Sequence, residues 1–223
     1  MSFNIAIDGP AGAGKSTIAR KLAEKISFIY VDTGAMYRAM AYYFLTHQID
    51  AGDEAALRAA CDEIRIELVY ENGVQKVILN GRDISGEIRK EAVGNMASAT
   101  SGYPFVREKL LSLQQDLAAR NDVIMDGRDI GTCVLPEAQL KVYLTAGVST
   151  RAKRRYKELL EKGAPCDLRE IEKDIEERDY RDMHREIAPL KAAEDARFLD
   201  SSEMDIDQVV DAIYQLAVEA GLS

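Results

Sequence analysis

Hydrophobic and polar positions along this chain fall into blocks that predict strands followed by helices. Ile5-Ala6-Ile7-Asp8 is apolar at consecutive positions, as in a strand buried on both faces, and Ile18-Ala19-Arg20-Lys21-Leu22-Ala23 then takes helical spacing. Phe28-Ile29-Tyr30-Val31 predicts a second strand ending in Asp32-Thr33-Gly34, and Ala35 to His47 a second helix. A small helix closes over Leu57 to Cys61, after which the period changes to two. Ile64 to Tyr70 alternates, Asn72-Gly73 follows, and Val74 to Leu79 forms another extended run before Asn80-Gly81. Such dipeptides between alternating runs predict hairpins. Antiparallel hairpins do not belong inside a parallel α/β core, so residues from about 63 to 86 are expected to form a small inserted subdomain.

Residues 87 to 102 read as helix, and Tyr103-Pro104 precedes a helix from Phe105 to Arg120 with proline near its first turn. Asp122-Val123-Ile124-Met125-Asp126 predicts a buried strand ending in Gly127-Arg128-Asp129, and Leu140 to Leu144 another. Two charged helices are expected over Ser149 to Lys162 and Leu168 to Ala188, separated by Gly163-Ala164-Pro165-Cys166. Arg197 to Asp200 supplies a last strand before a helix from about Asp205 to Ala220. This order implies a five-stranded parallel sheet with helices on both faces. Ligands of open parallel sheets bind beyond the carboxyl ends of the strands, so Asp8, Asp32, Asp126 and Asp129 are expected to face one crevice.

The chemistry begins at that edge. Gly9-Pro10-Ala11-Gly12-Ala13-Gly14-Lys15-Ser16-Thr17, between a strand and a helix, fits the phosphate-binding pattern G-x-x-x-x-G-K-[ST]. Its glycines let backbone N–H groups turn toward one anion, and the helix start adds its positive dipole end. Lys15 is expected to stay exposed until it reaches the outer phosphates of a nucleoside triphosphate, and the Ser16 hydroxyl to meet Mg²⁺. Chance produces this pattern in about one per cent of chains of this length at average residue frequencies.

Composition narrows the partners. The chain has 223 residues, 47% of them hydrophobic, enough for a sizeable core in one domain with insertions. A net charge of -9 argues against general binding to nucleic acid or anionic membranes. Cys61, Cys133 and Cys166 lack the paired spacing of a zinc site and read as reduced thiols. The first strand starts almost at once and no apolar run approaches the roughly 18 residues of a membrane span, so a cytoplasmic protein is expected.

Against that acidic background two arginine groups stand out. Arg178, Arg181 and Arg185 fall at i, i+3 and i+7 with Asp182 among them, and Arg151, Arg154 and Arg155 lie one helix earlier. Glu158, Glu161, Glu172, Glu176 and Glu177 could pair with them as a solvated face. Alternatively the two helices form a hinged lid that closes over phosphates, and the phosphate loop favours the lid. His47 and His184 have no metal-type partners. Asp83-Ile84-Ser85-Gly86 matches D-x-x-G but follows a hairpin, and no [NT]-K-x-D motif accompanies it, which argues against a GTPase.

Together, Asp8-Gly9-Pro10 entering the loop, Asp32-Thr33-Gly34-Ala35-Met36-Tyr37-Arg38, Asp83 to Arg89, Asp126-Gly127-Arg128-Asp129-Ile130-Gly131-Thr132, and Glu177-Arg178-Asp179 through Arg185 with Ala188-Pro189-Leu190 resemble the bacterial cytidylate kinases over nearly the full length. The resemblance implies the α/β, P-loop nucleoside monophosphate kinase-like fold: a five-stranded parallel sheet flanked by helices, an inserted antiparallel β subdomain and a helical lid. It implies one kinase domain, with a core of residues 1–35, 120–148 and 190–223, an acceptor region of about 36–119 and a lid of about 149–189. The implied activity is ATP-dependent phosphorylation of CMP and dCMP by a monomer that binds neither nucleic acid nor membrane. ATP would lie on Gly9 to Thr17 and Arg154, with Mg²⁺ at Ser16; Lys15, Arg128, Arg181 and Arg185 would be catalytic. The acceptor phosphate would be held by Arg38, Arg128 and Arg185 with Thr33 nearby, cytosine by Ser98, Arg107 and Asp129, and the sugar by Arg178 and Asp182. A kinase for UMP or another small acceptor, and a nucleotide-gated switch protein, are the alternatives.

Overall fold

The apolar run after residue 3 becomes the middle strand of the main sheet. A computed structural model describes residues 2–71, 74–161 and 163–222. In chain order, β1 (Asn4–Asp8), α1 (Lys15–Ile26), β2 (Ile29–Asp32), α2 (Thr33–Thr46) and α3 (Glu54–Glu63) lead into β3 (Ile66–Glu71), β4 (Val74–Leu79) and β5 (Arg82–Asp83). There follow α4 (Glu91–Thr100), α5 (Pro104–Arg120), β6 (Val123–Gly127), β7 (Leu140–Thr145), α6 (Val148–Glu161), α7 (Leu168–His184), β8 (Arg197–Asp200) and α8 (Ile206–Glu219). The five-stranded sheet runs β2-β6-β1-β7-β8 and every neighbouring pair is parallel.

Successive residues of β1 point to opposite faces, and both faces are covered. Ile5 and Ile7 pack with Ile18 and Leu22 of α1 and Val209 and Ile213 of α8. Ala6 faces the other way, with Val31, Val123, Met125 and Ala118 of α5. Strand order reverses at β1, which has β6 on one side and β7 on the other, and the carboxyl end of β1 therefore opens onto the switch-point crevice.

Strands β3, β4 and β5 form the expected separate antiparallel sheet, in that order. Asn80 and Gly81 both take left-handed backbone angles, φ 49 and 82, as a two-residue hairpin turn requires. The turn expected at Asn72-Gly73 and the helix end expected at Lys162 lie outside the described residues. This small sheet is not loosely attached. Val77, Leu79 and Ile84 join Met36, Met40 and Phe44 of α2 in a second core with α3, α4 and α5. The Gln75 side chain accepts the Asp32 backbone N–H at 2.9 Å, tying the insertion to the edge of the main sheet. Asp32, Asp53, Asp167 and Asp205 cap α2, α3, α7 and α8 through their side chains.

Two local expectations are corrected, and one element is new. The helix expected over 87–102 is broken: Glu87–Arg89 form a 3-10 turn, Lys90 is extended at ψ 146, and α4 starts at Glu91. Ile88 and Val93 are five residues apart, about 140° around one straight helix, and the break lets both reach the second core. Helix α7 stops at His184 instead of Ala188, because Pro189 disfavours helical backbone before it. Ala188 is left-handed at φ 48, and the returning Leu190 N–H bonds to the Asp182 carbonyl at 2.7 Å. A π-helical turn over Ile130–Val134, absent from the sequence reading, follows β6.

Phe44 is fully buried at the centre of the second core. Phe44→Ala is expected to lower stability by about 3–5 kcal/mol, measured by urea denaturation.

Candidate active site

The phosphate loop owes its shape to its neighbours. A Cβ on Gly9 would lie 1.9 Å from the Leu144 carbonyl oxygen of β7, and Gly12 and Gly14 are left-handed at φ 74 and 87. Gly14 is the N-cap of α1, so the first N–H groups of that helix face the loop. Ala11 and Ala13 are buried and Thr17 is exposed in the first turn. Lys15 departs from expectation: it is only 6% exposed, and Nζ donates to the Pro10 carbonyl at 2.7 Å. Burial and then the nearby Arg128 push its pKa well below the ordinary lysine value. The loop's own carbonyl replaces the water that was expected around the ammonium.

Ser16 Oγ donates to Asp126 Oδ2 at 2.9 Å, and the Tyr30 hydroxyl donates to Asp126 Oδ1 at 2.8 Å. Burial, followed by the Asp32 carboxylate, raises the Asp126 pKa to about 6. Ser16 and Asp126 thus offer a pair of hard oxygens, the donor set that suits a Mg²⁺ completed by phosphate and water. The sequence reading places Asp126 at the charged end of an apolar strand facing the crevice and assigns it no role there. Asp8 is its counterpart on β1, with the backbone N–H groups of Ile130 and Gly131 on its two oxygens at 2.8 and 2.7 Å. Burial outweighs those hydrogen bonds and lifts its pKa to about 6.

The first arginine group is not a free cluster. Arg151, 4% exposed, donates through Nη1 to the Ala11 carbonyl at 2.7 Å and to Asp179 Oδ2 at 2.6 Å. Asp179 Oδ1 accepts the Ala11 N–H at 3.1 Å, so one buried ion pair from α6 and α7 grips both polar groups of a single loop residue. Arg154 donates to the Ser201 carbonyl and hydroxyl at 2.6 and 3.2 Å, and Arg155 pairs with Glu158 in solvent.

Across the crevice the second group divides. Arg128 Nε donates to Asp182 Oδ2 at 2.8 Å. Burial opposes the Asp182 charge, yet Arg128 and the other guanidiniums hold its pKa below the usual carboxylate range. Asp129 is shared by Arg107 and Arg185, the latter at 3.4 Å. Arg185 also reaches the Ala188 carbonyl at 2.6 Å and Ser101 Oγ at 3.2 Å. Arg178 is gathered with these groups, and burial with Arg128 beside it pushes its pKa down to about 10. Its Nε is buried without a partner, as is Ser98 Oγ, and such atoms mark a place where a polar ligand fits. Thr33 Oγ1 donates to the Asp126 carbonyl at 2.7 Å, and Arg38 stays 3.9 Å from Asp32. Arg181 does not share this face: it is exposed on α7, with Nε 3.4 Å from the Glu177 carbonyl.

A phosphate loop on a parallel sheet of order β2-β6-β1-β7-β8, facing a group of largely buried guanidiniums, defines a P-loop protein built to hold two phosphate-bearing ligands. The cytidylate kinase family model matches residues 5–219, and the chain belongs to that family. A cytidylate kinase of Lactobacillus johnsonii is 49% identical over 214 residues, 96% of this chain and 93% of that protein. One from Shouchella clausii is 48% identical over 217 residues, 97% and 96% of the two chains. Among solved structures, an uncharacterized protein from Eubacterium ventriosum superposes with a TM-score of 0.54 at 13% identity, covering 97% of this chain and 99% of that one, a likeness of fold alone.

Asp179→Ala is expected to strand the buried Arg151 charge and cost about 3–5 kcal/mol of stability in chemical denaturation, more than loss of an exposed pair such as Arg155–Glu158.

Proposed function

We propose that this enzyme transfers the terminal phosphoryl group of ATP to the phosphate of CMP or dCMP, giving ADP and the corresponding cytidine diphosphate. The observation that carries this function is the unpartnered buried Arg178 Nε, whose guanidinium lies close enough to Arg128 and to Lys15 of the phosphate loop to act on both electrostatically. A monophosphate needs several arginine forks, a sugar hydroxyl suits a carboxylate, and cytosine offers an exocyclic amino group to an acceptor. Membership in the cytidylate kinase family supports the same assignment.

ATP lies along Gly9 to Thr17, its phosphates on the N–H groups of the loop, with Lys15 moving from the Pro10 carbonyl to the outer phosphates. Ser16 and Asp126 would hold Mg²⁺, which would offset phosphate charge. Arg38, Arg128 and Arg185, with Thr33 beside them, take the CMP phosphate; Arg178 and Asp182 take the sugar; Ser98, Arg107 and Asp129 read the base. The protein's work is positioning and charge stabilisation, because the acceptor is already an anionic oxygen. The lid of about residues 149–189 is the closing element over a core of 1–35, 120–148 and 190–223 and an acceptor region of about 36–119. Closure would bring in Arg154 on the donor side and Arg181 from its exposed position. The monomer meets small-molecule nucleotides only. Among the described residues no helix is long and apolar enough to cross a membrane, and the reading is of a cytoplasmic enzyme.

A coupled assay for ADP across CMP, dCMP, UMP, AMP and GMP tests this function. ADP release should require CMP or dCMP; acceptor-independent release would identify a hydrolytic switch instead. In the same assay Lys15→Ala is expected to lower kcat by about a hundredfold or more with an unchanged circular dichroism spectrum. Asp129→Ala is expected to shrink the CMP to UMP ratio of kcat/KM by roughly ten to one hundredfold, since a hydrogen bond to a charged group contributes about 1.5–3 kcal/mol. An unchanged ratio with both substrates impaired would mean that Asp129 only orients Arg107 and Arg185.

A further inference from the structure

The residue that should cap the π-helical turn after β6 does not cap it. Asp129 occupies the N-cap position of the Ile130–Val134 turn, yet its side chain makes no capping hydrogen bond. An aspartate at an N-cap ordinarily folds back onto the first free N–H groups of its own turn. Here the first two of them are bonded from another strand. Asp8, the last residue of β1, is 4% exposed and accepts from the Ile130 N–H at 2.8 Å and the Gly131 N–H at 2.7 Å, one on each oxygen. With the first two N–H groups of its turn already taken, the Asp129 carboxylate faces Arg107 and Arg185.

Asp8 also grips the segment from its other end. In the β1–β6 register Asp8 lies opposite Gly127, so Arg128 and Asp129 are held between a backbone pairing and a side-chain clamp supplied by one residue. The turn packs directly beside the clamp. A Cβ on Gly131 would lie 3.4 Å from Asp8 Oδ2 and 3.2 Å from Cδ of Lys141.

We infer that Asp8 is a positioning residue for base selection, a surrogate cap that releases Asp129 from its own turn so that it can face the acceptor. This rests on the proposed role of Asp129 in reading cytosine. Replacing the Asp8 carboxylate by an amide keeps its size but leaves one acceptor oxygen for two N–H groups, so the turn competes for the Asp129 side chain.

The test is the CMP to UMP ratio of kcat/KM in Asp8→Asn, alone and combined with Asp129→Ala. In the otherwise native enzyme Asp8→Asn should raise the KM for CMP and lower the ratio by about tenfold, within the range that small misplacements of a binding group produce. The KM for ATP should change less than threefold. In the Asp129→Ala background Asp8→Asn should change the ratio less than twofold, because the group it positions is gone. A ratio within twofold of the parent in folded Asp8→Asn, or equal losses in both backgrounds, would overturn the inference and leave Asp8 a structural tie. Should Asp8→Asn fail to fold, Asp8→Glu, which keeps both oxygens but displaces them by one methylene relative to the Ile130 and Gly131 N–H groups, is expected to lower the ratio in the same direction, and an unchanged ratio there would overturn the inference. CDP formation by the parent enzyme is measured first: its absence overturns the functional proposal and this inference together, whereas its presence with an unmoved ratio overturns this inference alone.

Discussion

Parallel pairing of β1 with β6 is the constraint on which the rest of this structure depends. The donor loop leaves the end of β1 and the Arg128-Asp129 segment leaves the end of β6, and their register sets Asp8 beside Gly127. Two kinds of chemistry that are more than a hundred residues apart in the chain thereby share one crevice. Close approach around this pair is tolerated only because side chains are missing. A Cβ on Gly127 would fall 2.7 Å from the Ile130 side chain and 3.0 Å from Thr33 Oγ1, and one on Gly9 would strike the Leu144 carbonyl.

What gathers there is electrostatically costly. Asp8 and Asp126 are both raised to about 6, chiefly by burial, and Lys15 is pushed down. A carboxyl whose folded pKa lies above its unfolded value opposes folding increasingly as pH rises from about 4 to about 6, since the folded state holds the proton more tightly in that interval. Two such groups at the end of a sheet whose strand interiors are fully buried apolar residues represent stability given up at the site and supplied by the core beneath. The buried arginines meet the same cost by pairing: Arg151 with Asp179, Arg128 with Asp182, Arg107 and Arg185 with Asp129.

Local pattern was enough for much of this. The five core strands, the hairpin at Asn80-Gly81 and the phosphate loop were legible because each is specified by contiguous residues with a clear period or turn chemistry. The break at Lys90 was not, since it answers to where Ile88 and Val93 must both pack, and the early end of α7 depends on Pro189 and on a return hydrogen bond from Leu190. The arginine row at i, i+3 and i+7 presumed one unbroken helix. Arg185 instead lies past the helix end, Arg181 turns outward, and Arg151 lies buried against the loop. Asp8 as a clamp and Arg151–Asp179 as a grip on Ala11 left no local signal, because their partners are 122 and 168 residues away for Asp8 to Ile130 and Ala11 to Asp179. The Arg107–Asp129–Arg185 group was reachable through family resemblance alone, and Lys15 was misjudged because a carbonyl of its own loop supplies the hydrogen bond expected from water.

The pairing of the arginines also decides how well the site can receive an anion. Long side chains ordered only on binding cost about 0.5–1.5 kcal/mol each. Asp182 and Asp129 fix Arg128, Arg107 and Arg185 beforehand, at the cost of part of their charge. Arg178, with an unpartnered Nε, and Arg38, 3.9 Å from its nearest carboxylate, keep more of theirs. For the proposed acceptor this is a division of labour: the paired guanidiniums supply geometry, and the weakly paired ones supply the attraction. Uniformly free arginines would repel one another within the crevice and bind any polyanion. A site whose forks are already oriented by carboxylates admits an incoming phosphate only where it can take over those hydrogen bonds, which favours one monophosphate geometry over others.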